Sequence, residues 1–202
     1  MARTAGGTTT SPAEKILLVA TDLFYEKSYG GVAVDEIGVA AGLTGPAIYR
    51  HFRGKGEILA ALFDRAIDGL LSATGSTTSD PFADLRHRIR AHANYVLSQG
   101  KLAGIWIREG RSLSTEHRAR LRRRETNYVG QWVECIRRCF PHMSAQEGEL
   151  AALTALGCLN AVSNWPKTNS PQSAVETSIS EFALFGLYRA GGLLEEVEHQ
   201  GV

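Results

Sequence analysis

The sequence predicts an all-α protein of two domains, and three observations carry that expectation. Apolar residues recur at three- and four-residue steps in segment after segment. No segment sustains the two-residue alternation with β-branched residues that a half-buried strand requires. Helix-start signals, a serine or aspartate followed by proline or by a glutamate three residues on, head several of these segments. The length of 202 residues, with 44% hydrophobic and 21% charged, suffices for a sizeable core.

Residues 1–10 are threonine- and glycine-rich with one charge, Arg3, and read as a flexible arm. Ser11-Pro12-Ala13-Glu14 then opens a helix, with Glu14 placed to close a capping box. Ile16, Val19, Ala20, Leu23 and Phe24 form its apolar face, and Tyr29-Gly30-Gly31 stops it. A short helix from about Val34 to Ala41 turns Ile37 and Ala40 inward. Gly42-Leu43-Thr44 makes a turn, and Thr44 can cap a second short helix from Gly45 to about Phe52. From Lys55 a wide stripe of Ile58, Leu59, Leu62, Phe63, Ala66, Ile67, Leu70 and Leu71 predicts a longer amphipathic helix. Residues 72–80 (SATGSTTSD) form a linker. Beyond it, helices are expected from Asp80-Pro81 to about Gln99, Leu102 to Gly110, Ser114 to Phe140, Ser144 to Trp165, and Ser170-Pro171 to about Ala190. The expected division is an arm at 1–10, a first helical unit at 11–55, a connecting helix and linker at 56–79, and a second helical unit at 80–202.

Composition narrows the function. No run approaches the roughly 18 apolar residues of a membrane span, and the first residues lack the apolar stretch of a secretory signal. Three cysteines, Cys135, Cys139 and Cys158, argue against a disulfide framework and fit a reducing cytoplasm. The net charge of +1 does not announce nucleic acid, so that case must come from local pattern. No G-x-S-x-G, H-E-x-x-H, P-loop or Rossmann fingerprint occurs, so the sequence offers neither an enzyme nor a cofactor, and no metal-ligand spacing.

The local pattern lies in residues 34–59, VDEIGVAAGLTGPAIYRHFRGKGEIL. Two short helices about a tight glycine turn make a helix-turn-helix. The second presents Thr44, Ala47, Arg50 and His51 outward while Ile48 and Phe52 can point in. Small, hydroxyl and basic groups at a helix end suit a DNA major groove. Six acids balance six bases in the first 60 residues, yet Arg50, His51, Arg53 and Lys55 cluster with no acid before Glu57. A basic face, not a basic domain, is what DNA binding needs. The order D-E-I-x-x-x-A-G-L-T, a short helix ending I-Y-R-H-F, then G-K-x-E-I-L resembles the tetracycline-repressor (TetR) family over about residues 13–63.

That resemblance implies an all-α homodimer, with an N-terminal domain on double-stranded operator DNA and a C-terminal domain that binds a small molecule. Carried over by position, Thr44, Gly45, Pro46, Ala47, Tyr49, Arg50 and His51 fall on the DNA-facing helix. Tyr49, His51 and Lys55 match positions that touch phosphate, Lys55 at a helix start. Gly45, Pro46, Gly56 and Ala33 depart from the commoner residues there, leaving fewer long donors for the groove.

Weaker signals remain. The run Glu116 to Glu125 reads as the solvated start of a long helix, with an anionic ligand as the alternative. Cys135 and Cys139 share a helix face as small core residues, and His87 and His92 read as surface or satisfied histidines. Tyr95, Trp106, Tyr128 and Trp132 are either plain core or the border of an apolar cavity, with Arg108, Glu109 and Asn127 as its polar groups and Gly100, Gly104 and Gly110 loosening the packing. The candidate ligand residues are therefore Tyr95, Trp106, Arg108, Tyr128 and Trp132. The expected function is a cytoplasmic regulator, a repressor released by a small lipophilic effector. An all-α lipid carrier or enzyme with a vestigial N-terminal domain is the alternative, and a non-specific DNA binder is disfavoured by the neutral charge. The small residues from Ala151 to Ala161 and the apolar final helix predict a four-helix dimer interface.

Overall fold

A computed structural model describes residues 10–75, 78–164 and 169–193, so the expected arm up to Thr9, part of the linker and Trp165 lie outside the described residues. Among the described residues there are nine α-helices and no strand. They are α1 (Pro12–Lys27), α2 (Val34–Ala40), α3 (Gly45–Tyr49), α4 (Lys55–Ala73), α5 (Pro81–Ser98), α6 (Gly100–Glu109), α7 (Thr115–Cys139), α8 (Ala145–Ala161) and α9 (Gln172–Ala190). Single 3-10 turns follow α6 at Gly110–Ser112 and α8 at Val162–Asn164.

Side-chain caps explain several helix starts. Ser11, Asp80 and Ser144 each accept a backbone N–H of the first turn, and Ser144 with Glu147 forms a full capping box. The box expected at Ser11 is only half made. Ser11 Oγ accepts from Glu14 N at 3.2 Å, but the Glu14 carboxylate pairs with Arg65 at 2.8 Å instead. Thr44 occupies its N-cap position without a side-chain bond, so its hydroxyl does not cap. Ala40, expected inward, is exposed, and Gly38 takes the buried place beside Ile37.

Two apolar clusters form the interior. The first joins Ile16, Phe24, Ile37, Ile48, Leu59 and Phe63 of α1–α4, and extends to Leu102, Ile105, Leu113 and Leu121. The second joins α5, α7, α8 and α9 around Trp132, Ile136, Phe140 and Leu159. α4 reaches both, since Ile58 to Ile67 belong to the first and Leu70 and Leu71 pack on the second. α6 is the other bridge. Its Lys101 pairs with Asp22 at 2.6 Å, and Tyr25 packs 3.3 Å from where a side chain at Gly104 would begin.

Candidate nucleic-acid interface and ligand cavity

The turn between α2 and α3 is built by backbone. Gly42 sits at φ +70, a left-handed conformation that glycine adopts without cost. Leu43 N then reaches Gly38 O at 2.9 Å and Gly42 N reaches Val39 O at 3.0 Å, the paired bonds of a Schellman end. α3 starts at once on Gly45-Pro46 and is anchored by one fully buried side chain, Ile48, with Phe52 following. Consequently Thr44, Pro46, Tyr49, Arg50 and His51 are exposed on one short segment, and Ala47 is half-buried. Tyr49 is 53% exposed, a large ring that no core contact requires to be there.

Local electrostatics favour an anion on this surface. Glu36 is tied to Lys27, Glu14 to Arg65, Asp22 to Lys101, and the Glu57 carboxylate accepts Arg53 N at 2.6 Å. Most of the acids that balance the charge of this region are thus engaged with protein groups, while the Arg50 and His51 side chains face solvent. Lys55 opens α4 as expected, but its side chain is engaged with the protein. Its ammonium donates to Tyr29 O at 2.7 Å and Val32 O at 2.8 Å and stands 4.4 Å from the Tyr29 ring centre. At least two of its three N–H donors are spent stitching α4 to the loop after α1.

The second candidate region is a cavity of about 450 Å³ walled by α4, α5, α6, α7 and α8. Ala66, Ile67 and Leu70 of α4, Leu102 and Ala103 of α6, and Leu156 of α8 supply hydrocarbon. Of the five candidate ligand residues, Tyr95, Trp106 and Tyr128 line it. Two do not. Trp132 is wholly buried in the second core, and Arg108 instead clamps α1, donating to Tyr25 O at 3.1 Å over the Tyr25 ring. Glu109 is also elsewhere, accepting Tyr29 N at 3.1 Å, and Asn127 is on the surface. The glycines of α6 do not open the space either: Gly104 faces Tyr25, while Gly100 and Gly110 stand at its ends. The glycine that matters is Gly69, where an added Cβ would lie 2.2 Å from the Tyr95 hydroxyl. Tyr95 therefore rests directly on the α4 backbone.

The cavity has one polar wall that sequence reasoning passed over. His92 is 1% exposed, its Nδ1 accepts the Tyr128 hydroxyl at 2.7 Å, and its Nε2–H donates to Asn160 Oδ1 at 3.1 Å. Burial pushes its pKa down to about 4, the Asn160 bond opposing, so the ring is neutral at pH 7. The reading of His92 as a satisfied histidine holds, but it also borders the cavity. Its signal was present as Asp84, Arg88 and His92, spaced by four and all buried on one face of α5. A larger cleft of about 840 Å³ between α5 and α9 is lined by Arg86, His87, Arg90 and Glu176, a polar surface unsuited to a lipophilic molecule.

Comparison with known proteins decides the family. Residues 16–62 match the profile of bacterial regulatory proteins of the tetR family, and residues 78–186 match the tetracyclin repressor-like C-terminal domain. The chain belongs to the TetR family. A curated relative, the HTH-type transcriptional activator FasR of Mycolicibacterium smegmatis, is 31% identical over 85 residues. That match covers 41% of this chain and 39% of the relative. Among solved structures, the TetR-family regulator PfmR of Thermus thermophilus superposes with a TM-score of 0.74 at 28% identity, over 85% of this chain and 98% of its own. AibR, solved with isovaleryl coenzyme A and operator DNA, shares the fold at 21% identity and a TM-score of 0.71, over 85% and 97% of the two chains. In this TetR-family chain, α2 and α3 are the helix-turn-helix, and no described helix is long and apolar enough to cross a membrane.

Proposed function

We propose that this TetR-family protein binds operator DNA through α3 and releases it when a small lipophilic molecule enters the cavity. Residues 11–55 serve DNA binding, 56–79 connect, and 80–202 bind effector and dimerise. Thr44, Gly45, Pro46, Ala47, Tyr49, Arg50 and His51 form the DNA face. Tyr49 and His51 serve phosphate and Arg50 the groove. Lys55 acts chiefly by fixing α4 against the loop that positions α2, with any remaining donor near the backbone.

The observation that carries this reading is the sharing of α4 and α6. Both wall the cavity, and both pack against the helices that hold α3. Trp106 makes the link, bordering the cavity while its ring stands 4.9 Å from that of Phe63. A ligand that fits one arrangement of α4 and α6 better than another shifts the spacing of two recognition helices in a dimer. Release of DNA reads out as repression or activation according to where the operator sits, and FasR is an activator by name. The reading places the protein in the cytoplasm.

Dimerisation is supported by apolar surface on the last two helices. Leu150 of α8 and Phe182 and Phe185 of α9 are 67%, 74% and 64% exposed, large apolar side chains that a partner surface would cover. The test is selection of tight fragments from a random DNA pool by the full-length protein, with sedimentation of the free protein. The reading expects one palindromic site class and a dimer at micromolar concentration. Sequence-independent retention, or a monomer, contradicts it.

A further inference from the structure

The apolar cavity has a neighbour of opposite character. Trp106 and Glu125 stand in the walls of both spaces. Beyond them a cleft of about 380 Å³ is bounded by Arg111, Arg118 and Arg122. Among the described residues no lysine or arginine lines the cavity itself, so that lining suits hydrocarbon and neutral groups and supplies no charge to balance an anion.

Arg118 and Arg122 of the basic run, with Arg111 before it, are placed differently from Arg120 and Arg124. Arg120 is paired with Asp64, and Arg124 is paired with both Asp64 and Asp68 on α4. Arg118 is held differently: its Nη2 donates to Arg111 O at 3.2 Å and Leu113 O at 2.8 Å, which fixes the guanidinium. Its Nε is buried without a hydrogen-bond partner. An orphaned buried donor on a fixed guanidinium is costly unless something accepts from it. Among the described residues of the lining Glu125 is the one carboxylate, against three arginines.

We infer that the cavity and the arginine cleft are one bipartite site for an amphiphile, with hydrocarbon in the cavity and a phosphate head among Arg111, Arg118 and Arg122. The inference rests on the cavity being the effector site. Guanidinium groups match phosphate by paired N–H donors, and a fixed one loses little freedom on binding. The head would sit on the same two turns of α7 that hold α4 through Arg120 and Arg124, so occupancy bears on the helix that joins the two domains.

The test is calorimetry on the full-length protein with decanol, decyl phosphate below its micelle concentration, and inorganic phosphate. Decyl phosphate is expected to bind at least ten-fold tighter than decanol, with a margin that shrinks as salt rises. Arg111→Gln with Arg122→Gln should erase the margin and leave decanol binding unchanged. These two arginines are chosen because neither side chain carries the carbonyl bonds that Arg118 does. Arg123→Gln, an exposed neighbour outside the cleft, should keep the margin. Decanoyl-lysophosphatidic acid and decanoyl-coenzyme A then separate a lipid head from a carrier thioester, and the tighter of the two names the source. Equal binding of decanol and decyl phosphate, or a margin that survives the double substitution, overturns the inference while leaving the cavity reading intact. Failure of decanol and decyl phosphate alike removes the cavity reading and the inference with it.

Discussion

The recognition helix and the cavity wall are built on opposite plans. α3 is five residues long and attached by one buried side chain, Ile48, so nearly every other residue of the segment faces out. The cavity wall is assembled from five helices, and three of its polar groups, His92, Tyr128 and Asn160, are bonded to one another. A surface that must meet many DNA atoms keeps its donors free. A pocket that must close around hydrocarbon keeps its donors internally bonded, because an unpaired buried donor costs roughly 1–3 kcal/mol.

The sharpest way to break that contrast is Lys55→Ala. If Lys55 is chiefly a clamp, losing two charge-assisted bonds to carbonyls costs about 3 kcal/mol of stability, seen as a lower denaturant midpoint. If it is chiefly a phosphate ligand, stability is unchanged and the salt slope of operator binding falls by about one.

Acid tests the cavity side. The folded pKa of His92 lies at about 4, below the ordinary value of 6.5, so between those pH values the unfolded chain binds a proton that the folded chain refuses. Its contribution is fully present above pH 6.5 and is lost as pH falls toward 4, by at most roughly 3 kcal/mol. His92→Gln should flatten that part of the stability profile relative to the wild type. An unaltered profile means that His92 is not held neutral.

Smaller effects refine the comparison. Gly69→Ala drives a methyl against Tyr95, which lines the cavity; the expected cost is about 1–2 kcal/mol of stability, with weaker ligand binding. Arg50→Ala should lower operator affinity about ten-fold, roughly 1.4 kcal/mol, and relax preference at one base position, with the melting temperature unchanged. A uniform loss across all sequences would place Arg50 on phosphate instead.

The two regions were also unequally legible. The DNA-facing segment is local: residues 34–59 carry its turn, its anchor and its exposed groups at fixed spacing, and Gly42 and Ile48 stand where that pattern requires. Lys55 was legible as a helix start but not as a clamp, because its carbonyl partners lie 23 and 26 residues away. The cavity depends on packing between helices far apart in sequence. Aromatic type alone could not separate Trp106, which borders the space, from Trp132, which fills the core. Arg108 has the chemistry of a ligand group, yet α6 turns it toward Tyr25. The basic run was read as solvated, but Arg120 and Arg124 find acids on α4, 56 residues away for Arg120–Asp64.

The central claim is that occupancy of the cavity reaches α3 through α4 and α6. It is tested most directly by filling the cavity with protein. Ala103→Phe places a ring in the space from α6, away from every residue assigned to DNA. Operator affinity would be measured for wild type and variant by fluorescence anisotropy, with and without decanol. The account predicts that decanol weakens operator binding by wild type at least ten-fold and leaves the variant's affinity, whatever its starting value, unmoved. An equal response to decanol in both proteins would contradict it.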